Sequence, residues 1–204
     1  MDRLQILNSV LSKLGEDEQL DDPDADTRAA STLNANWDGM RDLVLRSHLW
    51  NFATDPAGVD LVTDGAYAPT TLSDHAYRYV LPPDFLRLDL QRLWPQSLRR
   101  SVRVGGRWLY SYDGGPIHIV YVRKVPAVGE WDALFAEAFA CRLAAQVAKR
   151  ITGDEGMRRG LMQDYRLALA EAKGVDGREN PPEEIEETDW TTARYDSAPG
   201  AWSY

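Results

Sequence analysis

The side chains able to act on a substrate are few and scattered along this 204-residue chain. Its three histidines, His48, His75 and His118, fall in three different predicted elements, and none has metal-ligand spacing. Each reads as a surface or interface side chain. The one cysteine, Cys141, lies in Ala-Phe-Ala-Cys-Arg-Leu-Ala-Ala, an apolar helical run. A thiol in that setting packs as a small hydrophobe rather than serving as a nucleophile. No Gly-x-Ser-x-Gly elbow and no Walker loop occurs. Gly105-Gly106 and Gly114-Gly115 read as hairpin turns, because no helix comes after either pair to hold a phosphate. Carboxylates are abundant. Asp84, Asp89 and Asp113 could supply a glycosidase pair, but abundance gives no ground for ranking them. The expectation is a chain without catalytic residues, metal or cofactor.

The cations carry more information. Residues 76–125 hold 9 Lys and Arg against 3 Asp and Glu, although the whole chain has a formal net charge of −9. Residues 1–75 hold 5 basic against 14 acidic side chains, and residues 175–204 hold 2 against 8. A chain this acidic is a poor general binder of nucleic acid, whose affinity comes from many cationic contacts to phosphate. A basic middle between acidic ends points instead to parts with different partners. The candidate patch is Arg87, Arg92, Arg99, Arg100, Arg103 and Arg107, with Arg78, Arg123 and Lys124 beside it. Tyr77, Tyr79, Trp94, Trp108, Tyr110 and Tyr112 are interleaved. Three readings fit: contact with an acidic surface of another subunit, a solvated face around an aromatic core, or a stacking platform for nucleic acid.

The last 30 residues add a second candidate. They carry Pro181-Pro182, four glutamates in the next five positions and no hydrophobic period, which predicts an extended or disordered tail. Yet they also hold Trp190, Tyr195, Trp202 and Tyr204. Large rings on a flexible acidic segment are anchors for pockets on a partner.

The elements that position these groups are read from periodicity. Leu4, Leu7, Val10, Leu11 and Leu14 define a helix closed by Gly15, and an acidic loop spans 16–22. Asp22-Pro23 predicts an N-cap and first helical position, opening a second helix over about 23–47. Trp37 is expected in its core and Trp50 at the junction with a β insert. Between 58 and 125 the period changes to two, with Gly-Gly and Asp-Gly turns, which predicts that insert as an antiparallel meander. Helical periodicity returns from Trp131 to Val147, ends at Gly153, resumes after Asp154 and stops at Gly174. The fold class is therefore α+β. A four-helix bundle (1–57 and 126–174) carries an inserted small antiparallel β domain (58–125) and an extended acidic C-terminal tail (175–204). The insert must begin and end at neighbouring points for the helices to close on one another. No run of about 18 apolar residues predicts a membrane span. The first residues have no basic start and apolar run of a signal peptide, which predicts folding in a cytoplasm.

In order along the chain, five motifs together resemble the phage head-to-tail adaptor (connector) family, which includes tail tubular protein A of short-tailed phages. They are Leu4-x-Ile6-Leu7-Asn8-x-x-Leu11-x-x-Leu14-Gly15, Leu45-Arg46-Ser47-His48-Leu49-Trp50-Asn51-Phe52-Ala53 and Tyr79-x-Leu81-Pro82-x-Asp84-Phe85-Leu86-Arg87-Leu88. Phe135-x-x-Ala138-x-x-x-Arg142-Leu143-Ala144 and Tyr165-x-x-Ala168-x-x-x-Ala172 complete the set, covering about residues 2–175. The resemblance implies a virion structural protein that is not an enzyme. It implies a homo-oligomeric ring of about twelve copies under the portal protein, at the head–tail interface, assembled in the host cytoplasm. The ring would join the portal to tail proteins (nozzle, tail terminator or stopper) and line the exit channel. Packaged DNA would pass through without sequence-specific binding. In that setting the tail rings would dock on the portal or a neighbouring subunit, and the arginine patch would meet the next subunit. Two other classes are carried as alternatives: a virion-associated glycan hydrolase of the tail, and a DNA-binding regulator using the basic insert.

Overall fold

The computed structural model describes residues 1–61, 77–112 and 114–179, with the side chain of Arg100 excepted. It is a mixed α+β fold of four helices and two small antiparallel sheets. Helix α1 (Arg3–Lys13) starts in a capping box: Asp2 accepts from the Gln5 N–H, and the Gln5 side chain accepts from the Asp2 N–H. It buries Ile6, Leu7, Val10 and Leu11 and ends before Gly15, whose φ of 73° is the left-handed conformation glycine adopts most readily.

Helix α2 (Arg28–Leu45) begins five residues later than its Asp-Pro signal predicts. Thr27, not Asp22, is the N-cap, accepting from the Ala30 N–H at 3.1 Å. Asp22 is used in a tight turn: its carboxylate accepts from the Asp24 N–H and its carbonyl from the Ala25 N–H. The Asn34 amide then donates to the Pro23 carbonyl at 2.8 Å, which lays that turn along the flank of α2 instead of continuing its axis.

Helix α3 (Ala133–Ile151) is capped by Asp132, one residue after Trp131, and α4 (Glu155–Glu179) comes next. The first turn of α4 is met by Asp154, whose carboxylate accepts from the Gly156 N–H at 2.6 Å. Helix α3 packs against each of α1, α2 and α4. Its buried alanines at 136, 138, 140, 144, 145 and 148 let the backbones approach, while Phe135, Phe139, Leu143 and Val147 fill the space between. Trp37 stacks on Trp131 at 5.8 Å and meets the edge of Phe139 at 4.8 Å. Trp50 is fully buried, its indole N–H donates to the Val44 carbonyl, and its ring meets Phe135 edge-on.

Helix α4 does not stop at Gly174 as expected. It runs through Val175 and Asp176 to Glu179, so residues 175–179 of the predicted tail are helical. The reason is tertiary: Asp176 is tied to the chain around Asn51, which outweighs two helical glycines, Gly174 and Gly177, costing about 1 kcal/mol each.

The strands are β1 (Thr54–Val59), β2 (Tyr77–Val80), β3 (Phe85–Trp94), β4 (Arg103–Gly105), β5 (Trp108–Ser111) and β6 (Ile117–Arg123). They do not form a meander. They form two three-stranded sheets, ordered β1-β6-β3 and β2-β5-β4. Gly105-Gly106 makes the predicted hairpin, β4 to β5. The segment holding Gly114-Gly115 does not, since β5 and β6 belong to different sheets. β1 begins at Thr54, so it crosses position 58, where the insert was placed. Its pairing with β6, from Thr54 opposite Val122 to Val59 opposite Ile117, brings the two ends of the β region together. The sheets enclose a second core of Val59, Tyr79, Leu93, Leu109, Ile117, Ile119 and Tyr121, among others. β6 serves both cores. Ile117, Ile119 and Tyr121 alternate into the small one, while Val122 and the nearby Val125 join the helices.

Candidate functional site

The candidate arginines lie on three kinds of scaffold. Arg87 and Arg92 are on β3, Arg99 is on a 3-10 turn (Gln96–Arg100), Arg103 is on β4 and Arg107 is at the β4–β5 turn. All five are exposed. They are not equivalent. Arg92 is fixed by Asp89, whose buried carboxylate lies 2.8 Å from its Nε and also accepts from the Gln91 N–H. Arg87 turns toward the helices and donates to the Arg46 carbonyl at 3.2 Å, while Arg46 donates back to the Leu86 carbonyl. Arg123 binds Asp55 and Glu130, and Lys124 faces Asp42 at 3.5 Å. These last two act as staples between the strands and the helical region.

The second sheet presents an aromatic and cationic face. Arg78, Tyr110 and Arg103 are opposite one another across β2, β5 and β4, so they share one side of the sheet. The Arg78 guanidinium lies over the Trp108 ring, 4.3 Å from its centroid. Tyr110 lies over Gly105, where an added Cβ would come within 2.9 Å of its ring. Glycine at 105 is thus the condition for that ring's position. Planar rings beside guanidinium groups can take a base, a carboxylate or another aromatic side chain.

A third cluster is absent from the expectations. Asp176 on α4 is 9% exposed and reaches across to the segment leaving α2. Its Oδ1 accepts from the Asn51 N–H at 3.0 Å, its carbonyl accepts from the Asn51 amide at 2.8 Å, and its Oδ2 lies 3.1 Å from His48 Nε2. Burial holds the His48 pKa below the ordinary histidine value of 6.5, and Asp176 opposes that shift without cancelling it. The Lys173 amine is likewise lowered, by burial first and then by Arg87. A signal existed: Leu161, Tyr165, Leu169, Ala172 and Asp176 lie on one stripe at three- and four-residue steps. Reading Gly174 as a stop hid its last member.

The remaining candidates hold structural positions. Cys141 is buried, with its thiol pKa raised by burial, and its Sγ lies 3.7 Å from Glu137 Oε1. Asp84 accepts from the Tyr121 hydroxyl at 3.1 Å, and Asp89 holds Arg92. His118 packs on Trp94 at 5.4 Å. Among the described residues no three His, Cys, Asp or Glu are placed to hold a metal ion, and no helix is long and apolar enough to cross a membrane. His75, Asp113 and the tail aromatics Trp190, Tyr195, Trp202 and Tyr204 lie outside the described residues, as does the side chain of Arg100. The chain matches no known protein-family model and no curated protein.

Proposed function

We propose that this chain is a head-to-tail adaptor subunit of a phage virion, a structural protein without catalytic activity. About twelve copies would form a ring beneath the portal protein, join it to the tail proteins and line the DNA exit channel. In this reading the four helices form the bundle that builds the ring wall, and the β region projects from it. The observation that carries the reading is the division of charge. Exposed arginines occupy the strand region, whereas the loop over 16–22 presents Glu16, Glu18, Asp21 and Asp22, all exposed. One chain thus bears both halves of a head-to-tail contact, which generates rings when the rotation closes. A net-acidic wall also lets DNA slide, since its carboxylates outnumber the cations that hold phosphates.

Imaging of the full chain mixed with portal rings tests this. Density of portal symmetry on the tail side is expected, and portals that stay bare at high adaptor concentration would refute it. The aromatic face of Arg78, Trp108 and Tyr110 favours one competing reading, a DNA-binding regulator. Tight binding of a DNA duplex near physiological salt would support that instead. Glycan hydrolysis has weaker support, because Asp84 and Asp89 are engaged by Tyr121 and Arg92.

The tail rings Trp190, Tyr195, Trp202 and Tyr204 are proposed as anchors on the portal or a neighbouring subunit. The helical stretch 175–179 changes where this is tested. Truncation after Gly174 would remove Asp176 and its bonds to Asn51. Truncation after Glu179 spares them, and is expected to leave the melting temperature within about 2 °C of the parent, less than the shift for 1 kcal/mol. Portal docking should fall at least about tenfold, or 1.4 kcal/mol. Undiminished docking would make the tail a passive extension.

A further inference from the structure

We propose that each copy binds the next by inserting Trp94 into an acid-rimmed cleft beside α1 and α2, with Arg92 and Arg99 facing the rim. The proposal rests on the ring reading above and specifies its contact. The cleft holds about 340 Å³ between α1, the loop over 16–22, the start of α2 and the end of α3. Leu11, Leu20, Ala25 and Ile151 supply its apolar surface, and Glu16, Glu18, Asp21 and Asp22 supply carboxylates. Its wall is built rather than loose. The Asn8 side chain donates to the Leu20 carbonyl at 3.0 Å and accepts from the Leu20 N–H at 2.8 Å. Arg28 also lines the cleft, and its Nη2 donates to the Arg150 carbonyl at 3.3 Å.

An apolar floor with a carboxylate rim accepts a large hydrophobe flanked by cations and disfavours one flanked by anions. Neighbouring charge and exposure together favour Trp94 over Trp190 and Trp108. Trp190 comes after Glu186, Glu187 and Asp189 and has the wrong sign of neighbour. Trp108 is half-buried and covered by Arg78. Trp94 is 54% exposed at the end of β3, with His118 against one side of its ring at 5.4 Å. Arg92 and Trp94 are both exposed and flank buried Leu93, in the stretch between Asp89 and Trp94 where β3 departs from regular register with β6. The pairing with Asp89 fixes the Arg92 guanidinium, and exposed Arg99 lies in the next 3-10 turn. Leu90 adds a second exposed apolar group on the same strand, at 49%. Pockets that enclose drug-sized groups start at roughly 300 Å³, so one indole fits the cleft. Cleft and plug belong to different elements, so one copy's plug can enter the next copy's cleft head to tail and the contact can repeat from copy to copy.

Complementation between two full-length variants tests the contact without any portal. Trp94→Ala keeps the cleft and loses the plug. The double variant Glu18→Arg, Asp21→Arg keeps the plug and reverses the rim. Each alone should sediment as a monomer at high concentration and remain folded, Trp94→Ala losing only its ring contact with His118. Their equimolar mixture should form a heterodimer and nothing larger, with Kd below about 1 mM. Arg99→Glu added to the double variant, which supplies the plug, should weaken the mixture's dimer, whereas the same change added to Trp94→Ala should leave it intact. A mixture that stays monomeric, or a single variant that self-associates as the parent does, overturns the proposal. Failure of the parent to decorate portals would instead refute the adaptor reading while leaving this contact standing.

Discussion

Replacing Trp37 with Ala is expected to cost about 3–5 kcal/mol of folding stability, the range for emptying a large buried aromatic site. Trp37 is 4% exposed and sits where α2, α3 and the residues before α3 meet. It stacks on Trp131 and meets Phe139 edge-on, while Trp131 in turn meets both Phe135 and Phe139. Removing the indole deprives Trp131 and Phe139 of a shared neighbour, and alanine-rich α3 has few long side chains that could move in. For a chain of 204 residues the loss corresponds to a melting temperature lower by about 6–20 °C. Trp37→Phe keeps most of the ring contact and should cost about 1–2 kcal/mol. Chemical denaturation of both variants measures the effect. An Ala variant melting with the parent would mean that this stripe of α2 faces solvent.

The second large effect is expected at Asp176. Asp176→Ala should cost about 2–3 kcal/mol, because the Asn51 N–H and the His48 ring lose their acceptor in a partly buried site. Asp176→Asn should cost less, since its amide oxygen can still accept from Asn51 and its NH₂ can donate to neutral His48. The pH dependence has a definite sign. The folded pKa of His48 lies below 6.5, so the folded state binds fewer protons than the unfolded state in that window. The stability this contributes is fully present above pH 6.5 and is lost as pH falls through the lowered folded value. In Asp176→Asn the opposing pull of the carboxylate is gone, so the folded pKa drops further and the acid loss extends to lower pH. Denaturant midpoints of parent and variant between about pH 7.5 and about 5 report it. A parent whose stability is flat across that interval, or rises on acidification, would contradict this account.

Much of the local architecture was legible in the residues themselves. The leucine spacing of α1, the cap at Gly15, the return of helical period after Trp131 and the break at Gly153 each come from three- and four-residue repeats, closed at Gly15 and Gly153 by a glycine in the left-handed conformation. The change to period two marked the strand region, and its excess of arginine over carboxylate was visible as composition. These are properties of a segment and its immediate neighbours, and the chain alone determines them.

What the tertiary structure decided involves partners distant in sequence. Asp22-Pro23 is a sound helix start in isolation, but Asn34 binds the Pro23 carbonyl and Thr27 takes the cap. Gly174 is a sound stop, but Asp176 finds Asn51 some 125 positions away and the helix continues. Alternation made each strand recognisable without naming its neighbour. β6 pairs with β1 and β3 rather than with β5, because its two faces must fill two cores at once. The same limit applies to the cleft: its carboxylates stood in one acidic loop, but the floor of Leu11, Leu20 and Ile151 exists only once α1 and α3 lie together. Periodicity and capping report the energy of a segment with itself and with water. Pairing, packing and the clefts between elements depend on contacts whose loop-closure entropy and complementarity appear only in the assembled chain.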